Sequence, residues 1–252
     1  MRKMLIYTFL LCLIFSACEK SVSNNTTTTS QNYAEGFIIQ KSENYTDISI
    51  LTPWQDSRTQ FSYTVGDADL NDLALRKTAI INDRIRSVIC LSTTHIAFLD
   101  ALGLTDRIVG VANGKFVFNE SVRNAIDEGR VVDLGSDSEL DFEKIVDLNA
   151  DIILTYAIDE GFMMNYDRLM ELEQKVIVIS EYLETSPLGQ SEWLKVYGVL
   201  FDRERKADSV FADIEKEYLE IKAAPILSNP PRVFCNTPWK EVWYMPGGHS
   251  FT

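Results

Sequence analysis

The residues best suited to chemistry in this chain follow short apolar runs. Ser92-Thr93-Thr94-His95 comes directly after Val88-Ile89-Cys90-Leu91. Hydroxyls and backbone N–H groups at a strand-to-helix turn can hold anionic or polar ligand atoms. The same side chains can equally do no more than cap the helix. Lys115 and Phe116 follow Ile108-Val109-Gly110-Val111, and Tyr156 follows Ile152-Ile153-Leu154-Thr155. Trp239, Trp243 and Tyr244 crowd a third segment. Aromatic faces suit a large planar ligand, although each ring is also an ordinary packing residue. Lys115 adds a positive charge. Glu143 stands near the start of a helical segment, where a carboxylate meets the positive end of the helix dipole.

Other chemistries are disfavoured. Only His95 and His249 are present, too few imidazoles for a receptor of bare zinc or manganese. No GxGxxG or GxSxG motif occurs, so neither a dinucleotide loop nor a hydrolase elbow is available. No pair of carboxylates stands out by spacing, and the chain reads as a non-enzyme without a cofactor or metal centre. A net charge of −13 leaves no basic stripe for nucleic acid. The acidic residues read as a solvated surface. Cys90 and Cys235 sit in apolar runs and read as small buried hydrophobes.

The elements that must position these residues are an alternation of strands and helices. The strands are Val88–Leu91, Ile108–Val111, Val131–Leu134, Ile152–Thr155 and Val176–Ile179. Helical segments lie near Thr94–Leu102, Ser121–Asp127, Asp141–Leu148 and Tyr166–Glu173. This predicts an α/β fold: an amino-terminal lobe with a parallel sheet flanked by helices on both faces. Loops at the carboxyl ends of such strands form ligand crevices, so the sites after Leu91, Val111 and Thr155 should share one cleft, open beside His95 and Lys115. Ahead of the sheet, Asp47–Leu51 and Gln60–Val65 read as a hairpin, and Asp69–Ile81 as a short helix or irregular connection. Pro187 opens a helical stretch through Leu200, and Asp202 is suited to cap a long helix from Arg203 to about Ala223. A rod of ~20 residues is about 30 Å long. Pro225, Pro230 and Pro231 then mark a linker, Arg232–Cys235 a new strand, and the last segment the beginning of a second lobe.

The amino terminus carries a targeting pattern. Arg2 and Lys3 precede an apolar run from Met4 to Phe15, followed by Ser16-Ala17-Cys18. A basic flank, a short apolar run and small residues describe an export signal. The run of roughly a dozen residues is too short for the ~20 of a membrane span. With the cysteine it resembles a bacterial lipoprotein signal, which implies cleavage before Cys18 and lipidation of its thiol. The expected organisation is signal peptide 1–17, flexible tether 18–36, amino-terminal lobe 37–185, linking helices 186–224 and an incomplete carboxyl-terminal lobe 225–252. Composition supports the tether, since Ser, Thr, Asn and Gln dominate it.

The order of segments also resembles a family: the substrate-binding proteins of ABC importers for ferric siderophores, haem and cobalamin. Leu99-Asp100-Ala101-Leu102-Gly103-Leu104-Thr105-Asp106-Arg107-Ile108-Val109-Gly110-Val111 is similar to one of its signature segments. Leu140–Leu154 is similar to another, with Ala150 where the family usually has Pro. The resemblance implies two α/β lobes joined by a rigid helix, closing on a ferric chelate, haem or corrinoid. It also implies a monomer, lipid-anchored on the periplasmic side of a bacterial cell membrane, that docks on a permease of the inner membrane. By position Glu143 is the docking glutamate of the first lobe. Ser92, Thr93, Thr94, His95, Lys115, Phe116, Tyr156, Trp239 and Tyr244 are the candidate ligand contacts. Lys115 suits an anionic ferric siderophore, and His95 is either an axial ligand to haem or cobalamin or a packing residue. The alternative is a surface lipoprotein that captures a ligand or a partner without feeding a permease.

Overall fold

A computed structural model describes residues 27–29, 31–67, 78–82, 84–136, 139–225, 232 and 238–243. The signal segment, Cys18, the strand assigned to Val233–Cys235, Tyr244 and His249 lie outside the described residues.

The central strand is β6 (Val88–Cys90), and all three of its residues are fully buried. It lies between β7 (Ile108–Val111) and β9 (Ile152–Thr155), with β8 (Val132–Asp133) and β10 (Val176–Val178) at the edges. The sheet order is β10-β9-β6-β7-β8, and every pairing is parallel. The five-stranded parallel sheet expected from the sequence is therefore present.

Strand residues alternate between two cores, as the pleat requires. Val88, Cys90, Ile152 and Leu154 face one side. There they meet Ile96 and Leu99 of α1 (Thr93–Ala101), Val122 of α2 (Glu120–Asp127) and Tyr197 of α6 (Leu194–Leu200). Ile89, Leu91 and Ile153 face the other side, against Ile145 of α3 (Phe142–Leu148) and Leu169 of α4 (Met163–Glu171). Each such side chain contributes about 1.5–3 kcal/mol on burial. Helix starts follow local chemistry: Ser92 caps α1, Asn119 caps α2 and Asp141 caps α3 through side-chain oxygens. Gly103 ends the α1 region at φ 70°, the left-handed turn that glycine tolerates.

A second sheet runs β1 (Thr27–Thr29), β2 (Phe37–Lys41), β3 (Tyr45–Ile50), β4 (Phe61–Gly66) and β5 (Thr78–Ile81). The expected hairpin is β3–β4, with Ile50 opposite Phe61. Four features differ from expectation. Thr27–Thr29 is not tether but an edge strand on β2, with Thr29 opposite Ile39. Thr78–Ile81 is a strand parallel to β4, not a short helix or irregular connection; residues 68–77 lie outside the described part. The helical stretch from Pro187 is two helices, α5 (Pro187–Glu192) and α6, broken at the buried Trp193. Asp202 does not cap the long helix α7 (Glu204–Ala223) but makes the left-handed turn before it, at φ 56°. Beyond α7, β11 (Pro238–Trp239) and β12 (Val242–Trp243) form an antiparallel ribbon.

The two sheets are joined by polar contacts to the backbone. Tyr63 Oη accepts the N–H of Val178 at 2.8 Å, on the edge strand β10. The segment before β2 is held by two buried carboxylates. Glu192, fully buried, accepts the N–H groups of Asn32, Tyr33 and Ala34 at 2.9–3.1 Å. Glu184 accepts those of Glu35 and Gly36 at 2.9–3.2 Å, and the indole N–H of Trp193 at 2.8 Å. A Cβ on Gly36 would lie 2.9 Å from the Trp193 ring and 3.0 Å from Glu184, so only glycine lets the backbone come this close. The segment read as tether is thus clasped from Asn32 onward.

Burial works to raise the pKa of Glu192. The Lys195 ammonium at 2.5 Å and the three backbone donors outweigh it and hold the carboxyl below its ordinary value. A depressed carboxyl stabilises the fold above its unfolded value near 4.5, and that stability is lost as pH falls through the folded value. Replacing Glu192 with Ala should cost about 3–5 kcal/mol, since Lys195 and three amides lose their partner. Urea midpoints at pH 7 and pH 4 check this: the loss should be large at pH 7 and smaller at pH 4.

Candidate functional site

Strand order places the site. The connection after β6 leads to β7 on one side, and the connection after β9 leads to β10 on the other. The neighbouring strands β6 and β9 therefore flank a topological switch point, where the outgoing loops separate and leave a crevice. A hollow of about 260 Å³ lies at the tips of β6, β7 and β9, lined by Leu91, Ser92, Thr93, Ala112, Asn113, Phe116 and Tyr156. A second hollow of about 280 Å³ adjoins it, sharing Leu91 and Tyr156 and extending to Asp159, Phe162 and Asn165. Tyr156 thus stands between the two.

The loop after β7 is built to be rigid. Asn113 adopts a left-handed conformation at φ 55°, which Asn tolerates better than most residues. The Gly114 N–H donates to Asp133 Oδ1 at 3.3 Å, and the same oxygen accepts the Gly135 N–H at 3.1 Å. A side chain at position 114 would collide with that carboxylate. On the opposite polarity, Arg123 donates from Nη2 to the carbonyls of Gly114 and Val117 at 2.8 and 2.9 Å, and from Nε to Val117 at 3.2 Å. The loop is fixed by its amides at one end and its carbonyls at the other. It presents Phe116, 53% exposed, with the Lys115 ammonium 4.9 Å from the ring centroid. Phe118 stands almost wholly in solvent, at 91% exposure.

Of the nine sequence-predicted contacts, Ser92, Thr93, Phe116 and Tyr156 converge on the hollow. Lys115 is neighbour to it through the Phe116 ring. Thr94 does not line this hollow: its N–H donates to Ser92 Oγ, and its hydroxyl lies 2.9 Å from the same atom. His95 is corrected: it is fully buried in the first turn of α1, not at the rim. Burial pushes its imidazole down to about 3, so it stays neutral, and it presents no nitrogen to the cleft. The position three residues past the cap points inward because α1 packs on the sheet there. Trp239 lies on β11, and Tyr244 lies outside the described residues. Glu143 is exposed in the first turn of α3. That helix starts at the tip of β8, where the Asp141 N–H donates to the Leu134 carbonyl at 3.1 Å. Glu143 therefore emerges on the same edge of the sheet as the hollow.

Sequence reasoning missed Asn113, Asp133 and Arg123. The Asn113-Gly114 pair is a turn signal that could have marked the loop; nothing local marks Arg123 or Asp133. Among the described residues, no group of three or more His, Cys, Asp and Glu could hold a metal ion. Among them, too, no helix is long and apolar enough to cross a membrane.

With this geometry in hand, comparison with known proteins is informative. A family model described as periplasmic binding protein matches residues 88–251, well over half of the chain. The chain belongs to the periplasmic binding protein family. This periplasmic binding protein is 28% identical over 181 residues to an uncharacterized lipoprotein of Methanocaldococcus jannaschii, covering 68% of this chain and 43% of that one. A second uncharacterized lipoprotein of the same organism is 29% identical over 144 residues, covering 56% and 36%. The chain thus spans about two fifths of the length of these relatives. Two solved structures also align: a petrobactin-binding protein of Bacillus subtilis, 21% identical with TM-score 0.44 over 56% of this chain and 47% of that one; and a periplasmic haem-binding protein of Vibrio cholerae, 14% identical with TM-score 0.45 over 58% and 51%.

The loop clamp gives a direct expectation for this binding protein. Arg123→Met should leave the Gly114 and Val117 carbonyls without their charged donor and cost about 1–3 kcal/mol. Hydrogen exchange should accelerate at residues 114–118 while β6 and β9 keep their protection.

Proposed function

We propose that this chain is the ligand-capturing lobe of a substrate-binding lipoprotein serving an ABC importer. The ligand is an iron–siderophore chelate, haem or a corrinoid. The observation that carries the reading is the hollow at the β6/β9 switch point in a chain of this family, with Ser92 and Thr93 on one wall, Tyr156 on another, and the braced Lys115–Phe116 pair at the rim. Rigid aromatic walls with few polar groups suit a bulky ligand that is only partly apolar. Lys115 supplies attraction for the negative charge of a ferric chelate, and the exposed Phe116 and Phe118 supply flat surface.

Delivery assigns Glu143 to the permease. An exposed carboxylate on the cleft side of the sheet is placed to meet arginines on a docking partner, and charge-assisted pairing of this kind is strong and directional. The lipoprotein pattern at Ser16-Ala17-Cys18 and the lipoprotein names of the two relatives support lipidation of Cys18 and a location on the outer face of a cell membrane. The reading involves no turnover of the ligand.

The purified chain titrated with a panel of ferric siderophores, haem and cobalamin should show a saturable change in intrinsic fluorescence with one class. Lys115→Ala should weaken an anionic chelate by about tenfold, equivalent to roughly 1.4 kcal/mol, without changing the melting temperature. Glu143→Ala should leave binding intact and abolish uptake in cells carrying the permease. No response to any member of the panel refutes the reading.

A further inference from the structure

A hollow separate from the cleft lies among α1, α5, α6 and α7. Its volume is about 300 Å³, and it shares no lining residue with the two hollows at the strand tips. Ala97, Phe98 and Ala101 of α1, Leu194 of α6 and Ile214 of α7 make it largely apolar. One ionisable group lines it, Glu181, which is 2% exposed. Thr94 and the backbone N–H groups of Glu181 and Tyr182 hydrogen-bond the Glu181 carboxyl, yet Oε2 is buried with no partner. No lysine or arginine is among the lining residues. Buried polar atoms are almost always paired, so a buried carboxylate oxygen without a partner calls for an explanation. Burial also pushes the Glu181 carboxyl above its ordinary value, as expected of a group lacking a counter-charge.

The geometry points to a second binding site, at Glu181 between α1 and α5–α7, for a small amphiphilic primary ammonium. The ammonium head is matched to the Glu181 carboxylate, which offers acceptors and no donor. An alkyl or arylalkyl body is matched to Ala97, Phe98, Ala101 and Leu194. A volume of about 300 Å³ is at the lower end of small-molecule sites. The net charge of −13 favours approach of a cation over an anion. The site does not depend on the cleft reading, because none of its residues contributes to that hollow.

The test is calorimetric titration of the full chain with 2-phenylethylammonium and with its neutral analogue 2-phenylethanol. The ammonium should bind at least tenfold more tightly. Glu181→Gln, which keeps the shape of the side chain, should erase that preference, and Ala101→Trp should fill the hollow and abolish both. Equal affinity for the two probes, absence of ammonium binding at millimolar concentration, or undiminished ammonium binding by Glu181→Gln overturns the proposal. If either variant fails to fold, chemical-shift changes in the unaltered chain decide. Changes centred on Ala97, Phe98 and Leu194 sustain the site, and changes centred elsewhere overturn it.

Discussion

Burial of β6 on both of its faces is the constraint from which the rest of the lobe follows. A strand with no solvent face must be apolar at every position, and Val88, Ile89 and Cys90 are. Such a strand needs a helix layer on each side, because neither face can be left to water. The pleat then assigns Val88 and Cys90 to the α1–α2–α6 layer and Ile89 to the α3–α4 layer. With both faces and both long edges occupied, polar side chains have one place left to gather, the ends of the strands. The hollow lined by Ser92, Thr93, Asn113 and Tyr156 is a by-product of satisfying the core.

Around that sheet, several charged groups hold backbone. Arg123 spends its donors on the Gly114 and Val117 carbonyls, Asp133 accepts from Gly114 and Gly135, and Asp151 accepts from Arg86 and Ser87 at 2.6 and 2.8 Å. Irregular chain near a core would otherwise bury unpaired amides and carbonyls. Hydrogen bonds to charged partners are among the strongest available for this purpose. Those on Gly114, Val117 and Gly135 leave the loop after β7 ordered by its own contacts.

The parallel sheet was legible because its signal is local. Runs such as Val88–Leu91 and Ile152–Thr155, each followed by a helical period, need no knowledge of the rest of the chain. What escaped depends on distant partners. Thr27–Thr29 looks like tether until Lys41–Ile39 is beside it, and Asn32–Gly36 is ordered only by carboxylates about 150 residues away in sequence. Trp193 interrupts a helix to deliver its indole N–H to Glu184, a choice no propensity reveals. The site was half legible for the same reason. Ser92 and Tyr156 could be placed by counting from the strand, whereas the inward turn of His95 depends on which face of α1 meets the sheet.

The clasp on Asn32–Gly36 also sets how the domain responds to force. Five amides are gripped side by side by two acids rooted at the α5 end of the helical layer, behind a strand already zipped to β2. Tension arriving from the amino-terminal end is shared among these bonds and passed to Trp193 and α6, leaving β6, β9 and the recess between their tips unloaded. A pull from this end would be met first by the clasp and only then by the parallel sheet.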